Sequence, residues 1–294
     1  MQSKNRSISY KIYVFAFIYS GIIIYSPYYA GGNPAFNFLF SSGAAILYTF
    51  VLKRLFFVAT AKKMNSASRV VCLPITFLAI ISGFFVIGKY VVALSGFADY
   101  YAKPAVVLFA VVSIIACSVL CAKKGKVCVL GFAGLVFSFF VLWTLCGFFA
   151  FFTTKHVVLP DKSFFDIYGV IDYAVKSSVC ICLDITFAWA VLYTGKEEKH
   201  VISGSLLKGT FWFVLLSGIN LIKNILLFGK EFALGIDNPD LASLRLVPMF
   251  DLPEISVVVN TFACIVKISG YCYVISAVFK NAFDKECCQP KEAQ

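Results

Sequence analysis

The sequence predicts an all-α protein, a polytopic transmembrane helical bundle of about eight spans. Apolar and aromatic residues make up 60% of the 294 residues and charged residues only 14%, against about 25% in an average soluble domain. The apolar residues also occur in runs of about 20, the length that crosses a hydrocarbon core of roughly 30 Å as a helix. These runs lack the two-residue alternation that is typical of a membrane β-barrel.

Eight apolar runs divide the chain. They cover about residues 9–29, 36–59, 70–95, 104–122, 127–153, 168–194, 204–229 and 256–280. The first run is longer than the apolar core of a signal peptide, so we interpret it as a spanning helix. We therefore expect a single transmembrane domain over residues 1–280 and a charged cytoplasmic tail over residues 281–294.

Lysine and arginine residues concentrate in alternate loops. Seventeen of them lie in the two termini and in the loops after spans 2, 4 and 6, whereas five lie in the remaining loops. The positive-inside rule then predicts that both termini are cytoplasmic in a multi-pass protein of the cell membrane. This charge is spread over short loops beside lipid, so the net charge of +11 does not indicate a nucleic-acid partner.

Six charged residues remain inside the predicted spans, namely Lys89, Lys176, Lys223, Lys267, Asp172 and Asp184. Each costs about 2.5–3.5 kcal/mol at a helix centre unless it is paired, hydrated or able to reach the interface. Lys89 and Lys223 lie near the predicted external ends of their spans, where a long side chain reaches water. Lys267 lies about 18 Å into its span. It therefore needs either a partner carboxylate, from Asp172 or Asp184, or a hydrated cavity.

Two of the spans contain polar interruptions. Gly169 and the polar residues between Asp172 and Ser178 interrupt the sixth, and Gly21, Ser26 and Pro27 interrupt the first. Transporters carry discontinuous helices whose exposed backbone binds substrate near the midplane, but re-entrant or interfacial packing produces the same pattern. The two spans are five apart, as expected of two inverted repeats of five helices.

Three parts of the chain together resemble a known family. They are "ISYKIYVFAFIYSGIIIYSPYYAGGNPAFNFLF", "VVLPDKSFFDIYGVIDYAVKSSVCICLDITFAW", and the pair "INLIKNILLFGKEFA" and "IVKISGYCYVIS". They are similar to the permease-like B subunit of spore germinant receptors, a branch of the amino acid–polyamine–organocation superfamily. Lys267 matches the lysine of the family's Val-Lys-Ile-Ser helix, and Asp184 falls near an acidic position of its sixth helix.

The resemblance implies a LeuT-like inverted-repeat fold with broken helices 1 and 6, in which helices 1, 3, 6 and 8 line the site. The family has ten helices, so this chain would hold one repeat over about 9–153 and a truncated second repeat over about 160–280. The implied function is a nutrient sensor subunit of the inner spore membrane that binds a small amino acid-like ligand. The implied partners are a membrane A-type subunit and a lipoprotein C-type subunit.

The sequence leaves two alternative functions open. The protein could transport an amino acid or amine by alternating access, or it could be a scaffold in which Lys267 and Asp184 only fix helix packing. We expect no enzymatic activity and no cofactor or metal, because the sequence has no catalytic triad grouping, phosphate loop or HExxH motif. The candidate ligand-binding residues are Gly21, Tyr25, Ser26, Pro27, Asp172, Lys176, Asp184 and Lys267.

Overall fold

The described part of the protein is a bundle of eight α-helices without a β-strand. A computed structural model describes residues 2–25, 33–59, 74, 77–92, 104–153, 171–193, 199–235 and 253–283. The helices are α1 (Gln2–Tyr25), α2 (Pro34–Ala59), α3 (Phe77–Val92), α4 (Pro104–Lys123), α5 (Lys126–Thr153), α6 (Ile171–Tyr193), α7 (Lys199–Gly235) and α8 (Pro253–Phe283).

Each of the eight predicted spans corresponds to one of these helices. Seven of the helices are long and apolar enough to cross a membrane. The third, α3, has a shorter apolar stretch over residues 77–92, and most of the remainder of its predicted span lies outside the described residues. The prediction of a polytopic helical bundle is therefore confirmed.

The start of α2 illustrates how local sequence sets a helix boundary. Asn33 is the N-cap residue, and its side-chain oxygen accepts hydrogen bonds from the backbone N–H groups of Ala35 (3.0 Å) and Phe36 (3.2 Å). Pro34 occupies the first helical position, where a missing N–H costs nothing. Asn33 itself is buried, so the cap satisfies backbone donors that lipid could not.

Helix α1 forms the centre of the bundle. All eight residues from Tyr13 to Ser20 are buried, and α1 packs against α5, α6, α7 and α8. Two of these contacts are close because a glycine faces α1. A Cβ atom at Gly209 of α7 would lie 2.6 Å from Val14, and one at Gly270 of α8 would lie 2.6 Å from Phe17. The hydrophobic effect does not drive helices together in lipid, so their association depends on the close packing that small residues of this kind allow.

The outer faces of the other helices are apolar and exposed. Examples are Leu39 on α2, Phe84 on α3, Phe109 on α4 and Leu142 on α5, each more than half exposed. Such a surface would aggregate in water, but lipid tails cover it at no cost. This pattern agrees with a multi-pass membrane protein.

The structure corrects the predicted break in the sixth span. Helix α6 runs without interruption from Ile171 to Tyr193, so the backbone between Asp172 and Ser178 is hydrogen-bonded within the helix. Ser177 and Ser178 each donate a side-chain hydrogen bond to the carbonyl oxygen of Ala174, at 3.0 Å and 2.7 Å. The polar residues between Asp172 and Ser178 that suggested a break are thus accommodated within one regular helix, whereas Gly169 lies outside the described residues.

The first span is helical through Tyr25, so the predicted break is wrong at Gly21, and its remaining part at Ser26 and Pro27 lies outside the described residues. A distortion does occur in α7, at a position that the break predictions did not include. Gly229 has φ 72° and ψ 168° and separates two helical segments. Residues other than glycine rarely adopt this backbone conformation. Gly229 belongs to the "FGKE" turn on which part of the family resemblance rests.

Candidate functional site

Lys267 lies in the middle of α8 and is completely buried. The apolar part of α8 extends from Val258 to Ala277, so Lys267 is about 14 Å from one end and about 15 Å from the other at 1.5 Å per residue. A lysine side chain cannot reach either interface from that depth. The structure must therefore compensate the ammonium charge locally.

The compensating group is the carboxylate of Asp184 on α6. The two side chains form an ion pair, and their exposed fractions are 0% for Lys267 and 5% for Asp184. The sequence left open a partner carboxylate or a hydrated cavity, with Asp172 and Asp184 as the acids, and the structure places Asp184 against Lys267. Buried charges are tolerated in such positions only when they are paired.

Gly21 of α1 brings backbone directly against this ion pair. A Cβ atom at Gly21 would overlap the Oδ2 atom of Asp184 and would stand 3.1 Å from the Nζ atom of Lys267. Only glycine leaves room for the carboxylate at this position. Three helices, α1, α6 and α8, therefore meet at one pair of opposite charges.

Aromatic rings form the remaining wall around the ammonium group. The Nζ atom of Lys267 lies 4.2 Å from the ring centroid of Phe17 and 5.8 Å from that of Tyr25. Tyr271, one turn along α8, is also buried and contacts the Phe17 ring edge-on at 5.7 Å. A cation over an aromatic face gains about 2 kcal/mol when both are desolvated, so these rings stabilise the charge together with Asp184.

Asp172 and Lys176 are not part of this cluster. They form an ion pair with each other at 2.5 Å, four residues apart on α6, and both side chains are about two-thirds exposed. Asp172 precedes Asp184 by twelve residues, which is about 18 Å along a helix. The structure thus gathers Gly21, Tyr25, Asp184 and Lys267, and it leaves Asp172 and Lys176 on the surface.

Ser26 and Pro27, the other two candidate residues of the first span, lie outside the described residues. Their relation to the ion pair remains a prediction. Tyr25, the last described residue of α1, is in contact range of Lys267.

A second buried polar region was not predicted. Lys223 of α7 is only 3% exposed, so it does not reach the interface as the sequence suggested. It shares α7 with the buried residues Thr210, Ser217, Asn220 and Asn224. Their spacing of seven, three and four residues repeats with the helical period, and this pattern was the signal in the sequence that could have revealed a buried polar face.

This polar face of α7 is joined to α1 and α5 by hydrogen bonds. The amide nitrogen of Asn220 donates to the hydroxyl oxygen of Tyr19 at 2.6 Å, and the Tyr19 and Thr144 hydroxyl groups lie 3.4 Å apart. All three residues are buried. The network fixes the packing of α1 between α5 and α7, and it shares no residue with the ion pair on α6 and α8.

The site holds one anion and one cation side by side, buried among aromatic rings. This arrangement suits recognition of a small molecule that carries both charges, and it equally suits fixed packing of three helices. No protein-family model matches the chain, and no curated protein is significantly similar to it in sequence. The assignment of function therefore depends on the geometry of the site and on the family resemblance of the three sequence stretches.

Proposed function

We propose that the protein is a membrane sensor subunit that binds a small amino acid-like nutrient between Asp184 and Lys267. The observation that carries the proposal is the buried ion pair at the junction of α1, α6 and α8. The family resemblance implies that helices 1, 3, 6 and 8 line the ligand site. The ion pair lies at the junction of three of these four helices. The germinant-receptor role, the inner spore membrane and the A-type and C-type partners are part of the same proposal.

Charge compensation explains why this pair suits a zwitterion. An amino acid carries one ammonium and one carboxylate group. Its carboxylate can bind Lys267 while its ammonium binds Asp184, so one ion pair is exchanged for two. Both charges of the protein stay paired in the empty and the occupied state, which avoids the large cost of an unpaired buried charge.

The neighbouring residues give such a ligand its remaining contacts. Gly21 allows the ligand to approach the backbone of α1, and the rings of Phe17 and Tyr25 offer an apolar wall. Insertion of a ligand must separate α6 from α8 at this point. A ligand that binds the separated form more tightly than the paired form shifts the equilibrium between them, which is the physical basis of sensing.

Binding measurements on a matched pair of variants test the proposal. The double variant Asp184→Leu/Lys267→Met removes both charges, so it leaves no unpaired group, and it nearly keeps the number of side-chain heavy atoms. We expect purified wild-type protein in lipid nanodiscs to bind at least one common amino acid by calorimetry. The double variant should keep its helical content and lose that binding. Equal binding by both proteins would remove the ion pair from ligand recognition.

A germination assay tests the sensing part of the proposal. In spores of the source organism, the double variant should abolish the response to the bound nutrient while the protein stays in the membrane. An unchanged dose response would contradict sensing through this pair. Accumulation of the labelled amino acid in proteoliposomes of the wild-type protein would instead identify a transporter.

The complete enclosure of Lys267 favours a second candidate function, a packing scaffold without a ligand. The exposed fraction of its side chain is 0%, and Asp184 and Phe17 already occupy its surroundings. Each single charge reversal, Asp184→Lys or Lys267→Asp, should impair folding because it places two like charges together. The scaffold hypothesis predicts that the double variant Asp184→Lys/Lys267→Asp folds again and leaves every biological readout intact. Restored folding with a lost nutrient response would favour the sensor, because the ligand's contacts are then reversed.

A further inference from the structure

A groove on the surface of the bundle lies between α2 and α7 and shares no residue with the ion pair of α6 and α8. It has a volume of about 280 Å³ and is lined by Ile46, Phe50, Leu207, Lys208, Phe211 and Trp212. Five of these six residues are apolar or aromatic. The sixth, Lys208, is an exposed cation, and neither the ion pair nor the polar face of α7 makes use of it.

The relative positions of α2 and α7 show that the groove has a basic end. The Thr49 and Thr210 hydroxyl groups are hydrogen-bonded at 3.4 Å, and Phe38 lies against Gly218. The residue number falls along α2 as it rises along α7, so the two helices are antiparallel. Lys53 and Arg54, both exposed, follow Phe50 on α2 towards the end at which Lys208 lies on α7.

The other end of the groove is apolar and aromatic. Phe211 and Trp212 follow Lys208 on α7, and their side chains are 56% and 57% exposed. Ile46 lies one turn before Phe50 on α2 and faces the same groove. Cations at one end and exposed rings at the other match an amphiphile whose head group is anionic and whose tail is a hydrocarbon chain.

We propose that this groove binds an anionic phospholipid, with the phosphate against Lys208, Lys53 and Arg54 and one acyl chain along Ile46, Phe50 and Phe211. Basic pockets between transmembrane helices bind anionic lipid head groups in this way. Charge complementarity selects the anionic head group, and the apolar wall selects a ligand with a chain over a free anion. The site uses none of the residues of the ion pair, so it stands independently of the sensor function.

Lipid titration by native mass spectrometry tests the proposal. The detergent-solubilised protein is titrated in separate arms with dioleoyl-phosphatidylglycerol, dioleoyl-phosphatidylcholine and inorganic phosphate. We expect one phosphatidylglycerol to bind more tightly than phosphatidylcholine, and phosphate alone not to compete. Equal affinity for the two lipids would overturn the proposal, and competition by phosphate would identify a simple anion site instead.

Two variants and a matched control locate the binding. Lys208→Gln should weaken phosphatidylglycerol binding about fivefold, since one basic residue near the surface contributes about 1 kcal/mol. Ile46→Trp should fill the groove and remove the preference for phosphatidylglycerol. Lys124→Gln, an exposed lysine in the turn between α4 and α5, should have no effect on the tight site. An equal loss in Lys124→Gln and Lys208→Gln would show that net charge alone attracts the lipid and would overturn the proposal.

Discussion

Replacement of Gly21 by alanine is the most direct test of the arrangement at the ion pair. The added methyl group would overlap the Oδ2 atom of Asp184, and it would stand 3.1 Å from the Nζ atom of Lys267 and 3.4 Å from the Cγ atom of Asp184. The carboxylate cannot move away without lengthening its contact with Lys267. The alternative is a shift of α1, which is packed closely against α7 and α8 on its other sides.

The expected loss of stability in Gly21→Ala follows from a comparison with a second glycine. Inserting a methyl group into a well-packed interior costs about 1–3 kcal/mol, and alanine regains up to about 1 kcal/mol of helix propensity over glycine. Gly43 of α2 gives the matched control, because a Cβ atom there meets nothing within 4 Å. The difference between Gly21→Ala and Gly43→Ala cancels the propensity gain. It should therefore equal the packing cost, about 1–3 kcal/mol.

The free energy of unfolding of both variants can be measured by titrating the protein in mixed detergent micelles with sodium dodecyl sulfate. We expect Gly21→Ala to be less stable than Gly43→Ala by that amount. In an Asp184→Ala background the overlapping oxygen is gone and only the 3.1 Å approach to Lys267 remains, so most of the added cost of Gly21→Ala should disappear. Equal stability of the two glycine variants in the wild-type background would refute the packing of α1 against the ion pair.

Three further predictions concern stability. Lys267→Met should destabilise the protein by about 3–5 kcal/mol because Asp184 is left buried without its partner, and adding Asp184→Leu should recover most of the loss in the same unfolding titration. Tyr19→Phe should cost about 0.6 kcal/mol, the average for hydrogen bonds between membrane helices, and at most about 1.7 kcal/mol, because Asn220 then loses its partner. No cost in the titration would contradict the 2.6 Å bond. Gly229→Ala should cost about 1–3 kcal/mol because its φ of 72° is strained for alanine, and an unchanged unfolding midpoint would argue against the kink.

The sequence predicted the spans well because the constraint behind them is simple. Every backbone polar group in lipid must be satisfied within the chain, so a long apolar run such as 127–153 folds as a helix whatever surrounds it. The depth of Lys267 could be predicted for the same reason. Once the span is placed, only the distance to its ends matters, and a charge at that distance requires a partner.

The remaining features depend on helix rotation and neighbours, which a single sequence does not reveal. Lys223 lies close enough to a span end to reach water, yet α7 turns it towards the interior. Asp172 and Lys176 resembled a helix break, but their spacing of four residues lets them pair on the surface of a regular helix. Helix α1 is central because other helices pack on several of its sides, and its composition does not reveal this.

The packing around α1 indicates which helix can move when a ligand enters. Close glycine contacts join α1 to α7 at Val14 and to α8 at Phe17. Helix α6 meets α8 at the ion pair and at the edge-on contact of Phe187 with Tyr271 (4.8 Å), and it meets α1 at Gly21. A ligand between Asp184 and Lys267 must separate these two side chains, and we expect α6 to move rather than α8, because the close approach at Gly270 also holds α8 against α1. Tyr48 of α2 is hydrogen-bonded to Thr186 of α6 at 2.7 Å, so α2 should follow that movement.

Distances between spin labels can test this movement once a bound nutrient is identified. Val179 on α6 and Val258 on α8 are exposed positions for a pair of labels, and Phe211 on α7 with Val258 gives the reference pair. In a protein whose native cysteines are replaced, the nutrient should change the first distance by more than about 2 Å, as in regulatory rearrangements. The reference distance should stay constant. A constant first distance in the occupied protein would mean that the site accepts its ligand without moving α6, and the link between occupancy and signalling would then have to lie in another helix.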